Sequence, residues 1–115
     1  MEPKTLLYVI AAIAAAYFLF FRSRGDINGT EARDLVANGA LLLDVRTPGE
    51  YAGGHIDGAI NIPLDQLASR LSELPDRERT IVLYCQSGRR SASATKLLTE
   101  AGYGRAKNLG GIGAW

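Results

Sequence analysis

The sequence predicts an α/β fold with a mainly parallel sheet, preceded by one apolar helix. Three observations predict it. The runs Leu41-Leu42-Leu43-Asp44-Val45 and Thr80-Ile81-Val82-Leu83-Tyr84 are nearly continuous in apolar residues, the pattern of strands buried on both faces by covering helices. Segments with helical spacing alternate with these runs, so right-handed crossovers and a sandwich of helices on a sheet are expected. The first 21 residues stand apart in composition from everything that follows.

From Thr5 to Phe21 there is no charge, with Lys4 before the run and Arg22 and Arg24 after it. A helix of that length spans about 25 Å, slightly less than a hydrocarbon core of about 30 Å. Tyr17, Phe20, Phe21 and Arg22 are placed to extend it into the interface. Residues 1–22 are therefore expected to be a single-pass membrane anchor. Cleavage as a signal peptide at Ala14-Ala15-Ala16 would leave an apolar terminus beginning at Tyr17, which favours retention. The basic residues Arg22, Arg24 and Arg33 bias the body toward the cytoplasm, the periplasmic side being the alternative. The pairs Ala11/Ala15 and Ala12/Ala16 would let two such helices approach as a homodimer.

Residues 23–26 read as a linker and 27–115 as the folded domain, opening on a short edge strand near Ile27. Thr30 to Ala37 has helical spacing and stops at Asn38-Gly39. After the first buried strand, Thr47-Pro48-Gly49-Glu50 combines a capping box with proline at the first helical position, and Gly53-Gly54 ends that short helix. Ala59 to Ile62 is a brief strand closed by Pro63. Leu64, Leu67, Leu71 and Leu74 recur at three and four residues, an amphipathic helix that Pro75 terminates. The second buried strand then delivers Cys85. Ser91 to Ala101 is helical up to Gly102, and a last strand around Ala106 to Leu109 leads to Gly110-Gly111.

Charge and cysteine content exclude several functions. Thirteen Lys and Arg against twelve Asp and Glu give a net charge of +1 in 115 residues, so no global field recruits nucleic acid. One cysteine and one histidine, His55, provide neither a disulfide framework nor a metal constellation, and no cofactor is expected. Cys85 must be explained alone. It sits where a strand ends and a helix begins, the place where ligands collect in an α/β sheet. Gln86-Ser87-Gly88-Arg89-Arg90 can turn its amides inward if Gly88 relieves the backbone, giving an anion cradle reinforced by two arginines. A cradle that binds an anion also stabilises a thiolate, so the Cys85 pKa should fall below the free value of about 8.5. Cys85 is thus the expected nucleophile, and Arg89 is the preferred contact for an anionic substrate. Asp44, Arg46 and Glu50, near strand ends, are expected to be paired supports for the loop.

These residues resemble the rhodanese family, in particular its small single-domain sulfurtransferases. The resemblance runs through Leu43-Asp44-Val45-Arg46, Glu50-Tyr51, Gly54-His55-Ile56-Asp57-Gly58-Ala59-Ile60-Asn61-Ile62-Pro63, Tyr84-Cys85 with its loop, and Gly110-Gly111-Ile112-Gly113-Ala114-Trp115. It implies a three-layer rhodanese-like sandwich and a ping-pong reaction. Cys85 would take a sulfane sulfur from a donor such as thiosulfate and pass it to cyanide or a thiol acceptor. The loop amides and Arg89 would stabilise the persulfide, and His55 would be structural. Related loops in cysteine phosphatases and arsenate reductases place histidine before the cysteine and arginine six residues after it. Here those positions are Tyr84 and Ser91, and the shorter loop suits sulfur better than a tetrahedral phosphate. A non-catalytic thiol module that registers oxidants is a further alternative.

Overall fold

The computed structural model describes residues 2–23 and 25–115, with side chains described for 2–16 and 25–115. Helix α1 (Pro3–Ser23) comes first, and its described side chains are exposed. Among the described residues no helix is long and apolar enough to cross a membrane. Much of the expected anchor, including Tyr17, Phe20, Phe21 and Arg22, falls on residues whose side chains lie outside the description, and Arg24 lies outside it altogether.

The body is a four-stranded sheet in the order β2-β1-β3-β4, and every pairing is parallel. The elements run α2 (Gly29–Ala37), β1 (Leu41–Asp44), α3 (Pro48–Ala52), β2 (Ile60–Asn61), α4 (Leu64–Leu67), a 3₁₀ segment (Ala68–Glu73), β3 (Ile81–Cys85), α5 (Arg89–Glu100), β4 (Ala106–Gly111) and a final 3₁₀ turn (Ile112–Ala114). Because side chains alternate along a strand, the two buried runs feed two separate cores. Leu43, Val45, Ile81, Leu83 and Cys85 pack under α4 and α5 with Leu67, Ala94, Leu98 and Tyr103. Leu42, Val82 and Tyr84 face the other way, toward Ala32 of α2 and Ile56, Ala59 and Leu109. The result is the three-layer α/β sandwich expected. Full burial of one leucine side chain such as Leu43, Leu83 or Leu98 contributes about 2 kcal/mol.

Capping follows the sequence closely. Asn28 caps α2 reciprocally with Glu31, and Thr47 caps α3 reciprocally with Glu50. Gly39, which follows α2, takes φ 102° as a helix stop requires.

Three expectations are corrected. No strand forms at Ile27: the amides of Asp26 and Ile27 both donate to the Asn108 carbonyl, at 2.6 and 3.3 Å, and one shared acceptor is not a ladder. The Leu64–Leu74 helix is not continuous: α4 ends at Leu67, the chain goes on as the 3₁₀ segment, and Arg70 at φ −118° and ψ 21° kinks that segment in its middle. The helix after the loop starts two residues early, at Arg89, because left-handed Gly88 at φ 101° turns the chain directly into it.

Candidate active site

Strand β3 carries Cys85 to the carboxyl end of the sheet, fully buried at the base of the following loop. The neighbouring strand is shaped to receive that loop. A bulge shifts the β3–β4 register between Leu83 and Tyr84, so that Tyr84 and Cys85 lie opposite Gly110 and Gly111. A side chain there would collide with the loop, because a Cβ on Gly111 would lie 2.9 Å from the Gln86 carbonyl oxygen.

The sulfur is surrounded by donors. The Gly88 amide donates to Cys85 Sγ at 3.0 Å, and Ser91 Oγ lies 3.4 Å from it. Ser91 Oγ also reaches the carbonyls of Gly88 at 3.1 Å and Gly110 at 3.3 Å. When Cys85 is a thiol, its S–H can donate to Ser91 Oγ while the hydroxyl donates to a carbonyl. When it is a thiolate, the hydroxyl can turn to donate to sulfur. Burial pushes the Cys85 pKa up, yet hydrogen bonds from the Ser91 hydroxyl and from the amides of Ser91, Gly88 and Ser87 outweigh it, leaving the thiol below its ordinary value.

The supports form two braces. Arg46 and Asp44 are a buried pair, with Nη2 to Oδ2 at 2.7 Å and Nε to both carboxylate oxygens at 3.0 and 3.1 Å. The remaining Arg46 donors reach outward, Nη1 to Gln86 Oε1 at 3.2 Å and Nη2 to the Gly54 carbonyl at 2.8 Å. Arg46 therefore ties the residue after Cys85 to the end of β1. In the second brace, Arg90 grips Glu50 through both carboxylate oxygens, at 2.7 and 2.9 Å. The Arg90 hydrogen bonds, then the backbone bond of Thr47, draw Glu50 down to about 2.

Of the sequence candidates, Cys85, Gln86, Ser87, Gly88, Arg90, Asp44, Arg46 and Glu50 thus converge on one loop. Arg90 is engaged by Glu50 rather than open to a ligand. Arg89 is exposed at the first turn of α5 and makes no ion pair among the described residues. His55 stays outside the sulfur's hydrogen bonds: its ring stacks on Tyr51 at 3.7 Å and Nδ1 lies 2.9 Å from the Tyr51 carbonyl. Ser91 is a site residue that the sequence does not single out. Its position six residues after Cys85 and one turn into the helix marks it as a donor only once the helix is known to begin at Arg89.

Chemically, the loop can hold one buried thiolate under inward-facing amides, with the Arg89 cation exposed at the start of α5. Comparison with known proteins points the same way. Residues 28–115 match the family model described as the rhodanese-like domain. A sulfurtransferase of Allochromatium vinosum is 49% identical over 76 residues, 65% of this chain and 70% of that protein. The human thiosulfate:glutathione sulfurtransferase is 40% identical over 95 residues, 70% of this chain and 83% of that one. Among solved structures, the human single-domain sulfurtransferase TSTD1 superposes with a TM-score of 0.68 at 38% identity, covering 77% of this chain and 89% of the other.

Proposed function

This chain belongs to the rhodanese-like family, and on that premise we infer that it is a sulfurtransferase that carries a sulfane sulfur on Cys85. The observation that carries the reading is the buried sulfur held by the Gly88 amide and the Ser91 hydroxyl, whose hydrogen bonds lower the thiol's pKa against the opposing effect of burial. In the first half-reaction the Cys85 thiolate attacks the outer sulfur of thiosulfate. The S–S bond of the donor breaks, and sulfite leaves with the electron pair. The resulting persulfide places its outer sulfur among the loop amides, where partial positive charge stabilises it. In the second half-reaction cyanide or a thiolate attacks that outer sulfur, and the electron pair of the Cys85 S–S bond returns to Sγ. Arg89, exposed and unpaired among the described residues, is placed to draw the donor's sulfonate to the mouth.

Phosphoryl transfer fits less well. Ser91 stands where a phosphatase loop has arginine, and its hydroxyl is committed to Sγ and to backbone carbonyls. Incubation of the protein with thiosulfate followed by intact mass measurement is expected to show one added sulfur. The adduct disappears on treatment with cyanide and never forms in Cys85→Ser. An adduct that persisted in Cys85→Ser would overturn the assignment.

The same proposal includes the N-terminal anchor over residues 1–22, the linker 23–26 and the catalytic domain 27–115. What supports it is the uncharged run from Thr5 to Phe21 and the exposure of Leu6, Leu7, Tyr8, Ile10 and Ile13 on α1. The basic residues after the run put the body on the cytoplasmic side, and the Ala11/Ala15 and Ala12/Ala16 pairs suit a homodimer of anchors. A reporter fused after Trp115 that is active only outside the cytoplasm tests the orientation, with no signal expected.

A further inference from the structure

The arginines around the Cys85 loop differ in how their charge is answered. Arg46 lies against the buried Asp44 carboxylate. Arg90 is gripped by both oxygens of Glu50, at 2.7 and 2.9 Å. Arg89 is exposed and makes no ion pair among the described residues. The Arg89-Arg90 pair of the sequence therefore presents one open cation instead of two.

Arg90 is placed where its charge matters to the sulfur. It belongs to the loop itself, between Gly88, whose amide donates to Cys85 Sγ at 3.0 Å, and Ser91, whose hydroxyl lies 3.4 Å from Sγ. The Glu50 hydrogen bonds hold Arg90 above its ordinary pKa against partial burial, and the negative charge of Cys85 adds to that effect. The side chains of Arg90 and Glu50 are 35% and 33% exposed, so the pair is open to solvent and to dissolved anions. Glu50 is fixed from its other side as well. Its Oε1 accepts from the Thr47 amide at 3.1 Å and from the Thr47 hydroxyl at 3.0 Å, so the carboxylate cannot swing away from Arg90 without giving up the cap of α3.

We propose that Glu50 is a specificity-determining residue that neutralises Arg90 and so limits how strongly the Cys85 loop retains anions. The proposal rests on the sulfurtransferase reading, in which the first half-reaction takes in one anion, thiosulfate, and must release another, sulfite. An unpaired guanidinium would offer its fork to the sulfur oxyanions of both. With that fork occupied by Glu50, Arg89 alone draws the donor, and sulfite leaves against a single cation.

The test uses the full chain, whose single cysteine is alkylated in parallel by the anion iodoacetate and by neutral iodoacetamide. The thiolate displaces iodide from both reagents, so the ratio of the two rates reads the charge beside the sulfur and cancels changes in thiolate content. Glu50→Gln is expected to raise the ratio about threefold, the scale of one partly exposed ion pair. The same variant should be protected from iodoacetamide by less sulfate, and in turnover should show a lower KM for thiosulfate and stronger inhibition by sulfite. Arg90→Met, which leaves Glu50 unanswered, is expected to lower the ratio, while Arg90→Lys keeps it near wild type. Glu50→Gln combined with Arg90→Met should bring it back near wild type, and added salt should shrink all these differences. A brace that only supports the loop predicts a ratio that stays unchanged, or moves the same way in both single variants, and either result overturns the proposal. Ratios that move as described in a protein that takes no sulfur from thiosulfate would instead overturn the sulfurtransferase reading.

Discussion

Cys85 and Ser91 together set how much thiolate the site contains. Removing the hydroxyl in Ser91→Ala leaves the amides of Gly88 and Ser87 in place but deletes the side-chain donor 3.4 Å from sulfur. A hydrogen bond to a charged group is worth about 1.5–3 kcal/mol, so alkylation of Cys85 by a small reagent at neutral pH should slow by roughly tenfold or more. The pH at which the rate reaches half its plateau should rise, and Ser91→Thr should restore both. A slowing that persists unchanged at high pH would mean that Ser91 acts only through packing. Cys85 itself was legible in the sequence, because an apolar run before it and a glycine with two arginines after it mark a strand end that opens on an anion site. Ser91 was not, since its role depends on where α5 begins. Arg46 lies between these cases: its pairing with Asp44 follows from two opposite charges two residues apart, but the bond to Gln86 across 40 residues exists only in the folded loop. Arg46→Met would strand the buried Asp44 carboxylate and is expected to cost about 3–5 kcal/mol of stability, measurable by urea unfolding.

At the scale of elements, Glu50 joins two helices. Its Oε1 accepts from the Thr47 amide and hydroxyl, closing the cap of α3, and both carboxylate oxygens receive Arg90 from α5. Folding lowers the Glu50 pKa from 4.5 to about 2, so the folded state binds fewer protons than the unfolded chain across that interval. The stabilisation is therefore complete above 4.5 and is lost as pH falls toward 2. Glu50→Gln is expected to flatten the acid unfolding profile across that window while keeping the cap, and Thr47→Ala to cost about 1 kcal/mol at neutral pH through the cap alone. This helix was legible because its signal is local: Thr47, Pro48 and Glu50 specify it in four residues. The 3₁₀ break was not. Leucines at three- and four-residue spacing bury equally well from an α-helix that tightens, and Leu71 and Leu74, three apart, stay on one side of a 3₁₀ turn. The missing edge strand has a tertiary cause, since the bulge at Leu109 and left-handed Gly110 interrupt the regular edge of β4, and the Gly25–Ile27 segment that packs there finds one shared carbonyl acceptor in place of a ladder.

For the whole molecule, if residues 1–22 are the proposed anchor, the short linker would decide which end of the body faces the bilayer. Gly25 lies so close to β4 that a Cβ would come 2.2 Å from the Asn108 carbonyl oxygen, and a Cβ on Gly110 would lie 3.3 Å from the Gly25 nitrogen. Gly110 in turn packs on Gly88, whose amide holds Cys85 Sγ. The chain thus enters the domain at the carboxyl ends of the strands, beside the active loop, and only Arg24 separates Gly25 from Ser23 at the end of α1. Two Cα–Cα steps reach at most about 7 Å, so an anchor formed by residues 1–22 would hold the catalytic end of the sheet toward the bilayer and the Arg77–Arg79 end away from it. Reconstitution of the full chain into vesicles tests both steps. The protein is expected to float with the vesicles through a density gradient, and failure to float would remove the anchor. With Cys85→Ser as background, a fluorophore on Ala92→Cys in the first turn of α5 should then be quenched by a headgroup-level quencher more strongly than one on Glu78→Cys, just before β3. Equal quenching in floating protein would show a body that tumbles on its linker, and would place the hold on Gly25 by Asn108 and Leu109 as the interaction that fails at the membrane.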